Sequence, residues 1–357
     1  MKILVFFIAF SNVCFSVSAA ELQRFEFSDR QMGMPLRVLL YAENRELAER
    51  GAKAVFAKFS ALNDIASDYK DDSEIMRLSR MSPLKPTEAV PISAELAAML
   101  TFGQRLSKQT DGAFDLTIGP LTQLWRKTKR SRKLPADDVL QAARAAVDYR
   151  ALLLSEEPKG KPRAALTKPN MRLDLGGIAV GYAIDQSLAE LKHLGIKHAM
   201  IDSSGDIGCS GPPPGERGWR IGIAPLNPNA APSRYLRLSN AALTTSGDAY
   251  QHITLDGERY SHIIDPATGL GLKRPVAVTV IARDCITADA VAKTICILGH
   301  ERGFKLLAEY PGSDAIMLLA PRRDEENANI EVHETPGVKN YEEAPTPAAQ
   351  ESPRNKE

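Results

Sequence analysis

Two side chains in this 357-residue sequence have the type and setting for acid–base or metal-assisted chemistry, His262 and Asp289. His262 lies in YSHIIDPATG (260–269), where Asp265-Pro266 opens a turn and Thr268-Gly269 closes it. Imidazole ionises near neutral pH, so a histidine beside a hydroxyl-bearing turn is a candidate general acid or base, although a lone histidine also serves purely structural ends. Asp289 lies in TADAVAKTICILG (287–299), which is expected to form an apolar helix with Asp289 in its first turn. A carboxylate there can stabilise the positive helix end, or it can ligate a hard cation such as Mg²⁺.

Three glycine turns accompany these residues. LDLGGIAVGY (173–182) reads as a strand that ends on Gly176-Gly177 and turns directly into a helix, a geometry that presents backbone N–H groups to a phosphate. Ser203-Ser204-Gly205-Asp206 and Thr244-Thr245-Ser246-Gly247-Asp248 place hydroxyls and carboxylates at further strand ends. Together they could line one polar cleft, and separately each is an ordinary turn.

The elements that must position these groups follow from periodicity. Alternation predicts two strands within 24–43 around Met32-Gly33, and later strands at 151–154, 171–175, 198–201, 219–223, 235–238, 242–245, 250–255, 260–264, 276–281 and 314–319. Helical spacing predicts helices over 44–67, 93–110, 137–147, 178–194, 287–298 and 301–310, and a short one from Gly119-Pro120. The basic run 126–133 reads as a solvated loop, since no aromatic or glycine platform accompanies it. Strands and helices mix without strict alternation, so the expected class is α+β, with mixed or antiparallel sheets and flanking helices, in one large domain over 21–320.

Forty-five basic against 44 acidic residues give a net charge of +1, which offers no global attraction for nucleic acid or an anionic surface. Residues 1–20 combine a lysine, a short apolar run and small residues ending in Ser18-Ala19-Ala20, as a cleaved secretory signal does. Its removal would take Cys14 and leave Cys209, Cys285 and Cys296, an odd number with no CxxC spacing and no framework for zinc or paired disulfides. From 321 to 357 the chain turns polar and rich in Pro and Glu, as a disordered tail does.

In order and spacing, QMGM, DYKDDSEIMRLSR, GAFDLTIGPLTQLW, LDLGGIAVGYAID, SSGDIG, TTSGDAY, YSHIIDPATG and TADAVAKTICILG resemble the ApbE family of FAD:protein FMN transferases over about 32–299. The resemblance implies a flavin cleft in an α+β domain. There FAD is split at its pyrophosphate with Mg²⁺, AMP leaves, and FMN passes to a Thr or Ser of an exported or membrane redox partner. Such members are exported, which places this chain in the periplasm or on the outer face of a bacterial inner membrane. Position by position, it assigns Met32, Tyr69, Ala113, Phe114, Asp115, Asp174 and Ile263 to the FAD site. It assigns the Gly177 backbone oxygen and Asp289 to the metal, and His262 to acid–base work.

Three positions depart from the family pattern. Val180 stands where a charged residue usually contacts FAD, and Ser79 stands for an Asn. Lys293 stands where a Thr or Ser follows the metal-binding Asp by four residues, and at that spacing it shares a helical face with Asp289. An ammonium cannot ligate a cation. Lys293 is then a fixed positive charge that replaces the metal at the pyrophosphate, or a partner that ties up Asp289 and leaves a flavin-binding protein impaired in catalysis; a third reading, with Lys293 in solvent and Thr294 restored by a gap, would shift the helix's apolar register. The expected activity is FMN transfer, and FAD binding alone or FAD hydrolysis to FMN and AMP are the alternatives.

Overall fold

A computed structural model describes residues 21–155, 160–227, 229–232, 234–249, 251–321 and 329–343. The secretory-signal expectation for 1–20, Tyr250 of the expected 250–255 strand, and the end of the expected tail from 344 lie outside the described residues.

The fold is α+β and is organised on one eight-stranded sheet. Its strands are β1 (Gln23–Gln31), β2 (Met34–Ala42), β3 (His198–Ser203), β4 (Asp206–Cys209), β5 (Ala241–Gly247), β6 (Val276–Ala282), β7 (Asp314–Leu319) and β8 (Glu331–Glu334). Their order across the sheet is their order in the chain, and every neighbouring pair is antiparallel. Helices and smaller sheets are inserted between consecutive strands.

Both faces of this sheet are covered, and the side-chain alternation of the strands shows it. Leu36, Val38 and Leu40 of β2, and Val276, Val278 and Val280 of β6, point into the main core. Their neighbours Leu39 and Ile281 point into a second core under the hairpin Trp219–Gly222/Tyr235–Leu238. On the main face lie α1 (Arg45–Ala66), α2 (Ala179–His193) and α3 (Cys285–Leu307), with α2 packed between the other two. Gly181 permits that closeness, because a Cβ there would stand 2.5 Å from the Cys285 carbonyl oxygen.

A third, small core joins the helix Gly119–Ser131 to the hairpin His252–Leu255/Glu258–Ser261 through Leu121, Trp125, Ile253, Leu255 and Tyr260. Asp256 and Gly257 turn that hairpin with φ of 48° and 77°, as the Asp-Gly pair requires.

Several elements differ from the expectations. The basic run is helical as far as Ser131, because Leu121, Trp125 and Thr128 give the helix a buried face, while Lys127, Lys129 and Arg130 are exposed and Arg126 is half-buried. Residues 171–175 are extended but make only one isolated bridge, Arg172 to Ile118, although Met171, Leu173 and Leu175 are buried in alternation. The expected strand 260–264 breaks into Glu258–Ser261 and Ile264–Asp265, which leaves His262 and Ile263 between ladders. The two C-terminal helices form one element, α3, kinked at Gly299 (φ 75°, ψ 175°). The sheet also continues past residue 320: β8 pairs with β7, and Val338 of the 3-10 turn Pro336–Tyr341 is fully buried.

Candidate active site

Helix α3 carries the centre of the site. It starts at Cys285 with Asp284 as its cap, whose side chain accepts from Thr287 N. Asp185 of α2 accepts from the next two donors, Cys285 N at 2.7 Å and Ile286 N at 2.9 Å. The positive end of the helix is thereby satisfied by Asp284 and Asp185. Asp289 falls one turn further in, so the helix-end role considered for it does not apply, and the first turn holds no acidic residue.

Asp289 is completely buried and bonds the ammonium of Lys293 through Oδ1, while its Oδ2 has no partner. The Lys293 side chain keeps 28% exposure. Burial would lower its pKa, but the carboxylates of Asp289 and Asp206 outweigh that and raise it, so the ammonium is held charged. Asp206, at the start of β4, is pushed up to about 7 by burial and by the charge of Asp289, against the pull of Lys293.

The stem of Lys293 lies against the glycine turn. A Cβ on Gly177 would stand 3.1 Å from the Phe114 ring and 3.3 Å from Lys293 Cδ, so any side chain there would require the ring or the lysine stem to give by a few tenths of an ångström. The Gly176 N–H is taken by Asp174 Oδ1 at 2.8 Å, while Ile178 N and Ala179 N both donate to the Leu175 carbonyl. Much of the donor capacity expected to face a phosphate at this turn is therefore used internally.

His262 stands where the strand breaks. Its backbone N–H donates to the Gln251 carbonyl, and Nδ1 lies 3.1 Å from the same oxygen. That contact places the ring proton on Nδ1 and leaves Nε2 as a lone-pair acceptor. Burial first, and then the positive charge of Lys293, lower its pKa to about 4, so the ring is neutral at pH 7. Asp265 takes no part: its Oδ1 accepts from Ala267 N and its carbonyl from Gly269 N, which closes the turn.

A second group of side chains adjoins through Asp174. The Arg126 guanidinium lies 2.6 Å from Asp68 and 3.8 Å from Asp174, and it stacks 3.9 Å from the centre of the Tyr69 ring. Tyr69 is 78% exposed, an aromatic face offered to solvent. Arg126 was hidden within the sequence's basic run; its position beside the buried Trp125 was the available signal.

The remaining expected residues are placed less centrally. Asp115 spends its carboxylate inside the fold, accepting from Thr117 N and Oγ1 and from Tyr149 N. Ala113 sits in the turn before it, its N–H donating to the Thr110 carbonyl. Val180 and Ile263 are buried in the main core, and Met32 packs on the edge of that core at the β1–β2 turn with φ 49°. Ser79 accepts from Leu173 N at 3.0 Å, so it holds the segment that leads to Asp174. Of the other glycine turns, 203–206 joins β3 to β4, whereas Thr244–Gly247 lies within β5. Asp248 is buried against Arg259 and receives Val276 N. Cys209, Cys285 and Cys296 are buried and free.

The chain matches the ApbE family model over residues 32–317. It belongs to the ApbE family. It is 34% identical over 246 residues to the FAD:protein FMN transferase of Vibrio cholerae, covering 68% of this chain and 71% of that one. The corresponding protein of Haemophilus influenzae is 30% identical over 266 residues, covering 72% and 75%. The apo crystal structure of Pseudomonas stutzeri flavinyl transferase ApbE superposes with a TM-score of 0.77 at 26% identity, covering 91% of this chain and 98% of that one.

The Mg²⁺ implied by the resemblance does not suit the donors present. Asp289 Oδ1 is already occupied by an ammonium, and the residue one helical turn on is that ammonium's own Lys293 in place of a hydroxyl. With about 4 Å between them and an effective dielectric near 20, a divalent ion and an ammonium repel by roughly 8 kcal/mol. Among the described residues no group of three or more His, Cys, Asp or Glu could hold a metal ion.

Proposed function

We propose that this chain is an FAD:protein FMN transferase that acts on an exported or membrane-bound redox protein. The observation that carries the reading is the meeting of Phe114, Gly177, Asp289 and Lys293 at one place, with His262 within range of the Lys293 charge. These residues come from four separate family motifs that the fold draws together. The exposed Tyr69–Arg126 stack offers a planar, cationic surface suited to a ring of FAD and its adjoining phosphate.

In the reaction, a Thr or Ser hydroxyl of the acceptor attacks the phosphorus on the FMN side of the pyrophosphate. A new P–O bond forms, the bond to the bridging oxygen breaks, and AMP departs with that oxygen. The neutral His262, with Nε2 free to accept, takes the hydroxyl proton. Lys293 offsets charge on the phosphate oxygens, since it is held protonated and partly open to solvent. The composition of residues 1–20 supports export of the mature chain.

The test is incubation of the mature chain with FAD and a peptide bearing a Thr acceptor, followed by mass spectrometry. Covalent FMN on the peptide is expected. Tight FAD binding with no adduct and no AMP would overturn the reading in favour of a flavin-binding protein in which Lys293 only ties up Asp289.

A further inference from the structure

We infer that the Lys293 ammonium takes the place of a divalent cation in this chain, so that its chemistry on the flavin pyrophosphate needs no metal; this rests on the transfer reading above. The two groups that would ligate a metal are the Gly177 backbone and Asp289, and Lys293 bonds the second while its stem passes beside the first. Its Nζ bonds Asp289 Oδ1, and its Cδ lies 3.3 Å from the position a Gly177 Cβ would fill. The side chain therefore runs past the Gly177 turn and ends on Asp289.

Access points the same way. Asp289 is fully buried, whereas 28% of the Lys293 side chain is open, so of the two residues only the lysine presents surface to an incoming phosphate. One of the three ammonium donors goes to Asp289, which leaves donor capacity for phosphate oxygens. Asp289 acts here as a positioning residue. As the i, i+4 partner it fixes the direction of a side chain that would otherwise sample many rotamers. The chemistry balances without a metal: the acceptor O–P bond forms, the bridging P–O bond breaks, the hydroxyl proton goes to His262, and Lys293 stays protonated throughout.

One feature speaks for a cation, namely the buried and unpartnered Oδ2 of Asp289. The experiment must therefore read metal binding directly as well as turnover. Mn²⁺ would be added to the protein in excess over FAD, with binding followed by electron paramagnetic resonance, and AMP release measured in EDTA and in Mg²⁺. For the wild-type chain we expect no bound Mn²⁺ and AMP release equal within about twofold in EDTA and Mg²⁺. Lys293→Thr should bind Mn²⁺, lose roughly 100-fold in EDTA and recover with Mg²⁺. Lys293→Arg, which keeps the charge, should remain independent of metal, and thermal melting would confirm that both variants fold. Stoichiometric Mn²⁺ on the wild-type complex, collapse of wild-type AMP release in EDTA, or full activity of Lys293→Thr in EDTA would each overturn the inference. If the wild type released no AMP under any condition, the transfer reading would fail. The Mn²⁺ measurement would still decide whether Lys293 fills the cation's place, with no binding supporting that half of the inference and binding overturning it.

Discussion

Two pairs of opposite charge flank the proposed cleft, and they differ in what surrounds them. On α3, Asp289 and Lys293 lie one turn apart on a single helix, with the carboxylate fully buried and part of the lysine open. On the other side, Arg126 gathers Asp68 and Asp174 from separate segments and supports an exposed Tyr69. The first is a close pair set by the helix spacing, with the lysine partly open; the second presents a broad face backed by a guanidinium. The difference teaches a division of labour in which α3 supplies the charge that acts on phosphate and the Tyr69–Arg126 face supplies binding area.

The largest expected effect breaks the reactive side. His262→Gln removes the Nε2 acceptor and should slow AMP release by about 10²–10⁴-fold with FAD affinity unchanged, as separate rate and fluorescence-quenching measurements would show. Equal loss of both would place His262 on the binding side instead.

Next, Asp289→Ala leaves the ammonium without its partner. Stability should fall by about 3 kcal/mol in urea unfolding, together with loss of turnover, because a pocketed charge without its counter-ion is costly. A change below about 0.5 kcal/mol would show that Lys293 reaches solvent freely and that the pair fixes nothing.

The matching change on the other side separates binding from stability. Tyr69→Ala should weaken FAD by about tenfold through lost stacking, and it should leave unfolding unchanged within about 0.5 kcal/mol, since the ring is 78% exposed.

The last effect concerns the start of α3. Asp185 has its pKa raised from 3.8 to about 7 by burial, only partly opposed by the Cys285 and Ile286 N–H groups. The folded state therefore binds the extra proton between those values. The stability this gives is fully present below pH 3.8 and lost as pH rises through 7. Asp185→Asn should abolish this contribution, worth about 1–3 kcal/mol between pH 5 and 8, in unfolding followed across pH. An unchanged pH dependence in the variant would remove Asp185 from the account.

The sequence made the α+β class and the helices α1 to α3 legible, because their apolar runs are long, and α1 and α3 also carry Asn44 and Asp284 as caps. His262 and Asp289 stood out by residue type. What stayed hidden has physical reasons. The helix Glu74–Arg80 is short and polar on its outside, and only its Ser73 cap marked it. Strand β4 reads as turn because Gly208 lacks a side chain, yet a Cβ there would meet Ile184 at 2.4 Å. Arg126 looked solvated because its partners, Asp68 and Asp174, are 58 and 48 positions away in the chain. The strand break at His262 depends on Ser261 N bonding Leu272 and His262 N bonding Gln251, contacts that no local pattern announces.

The most direct test of the account counts products. With FAD, the mature chain and an acceptor peptide, AMP released and FMN bound covalently to peptide hydroxyl should appear in a one-to-one ratio. AMP with free FMN and no adduct would contradict transfer and leave hydrolysis; FAD recovered intact would contradict both.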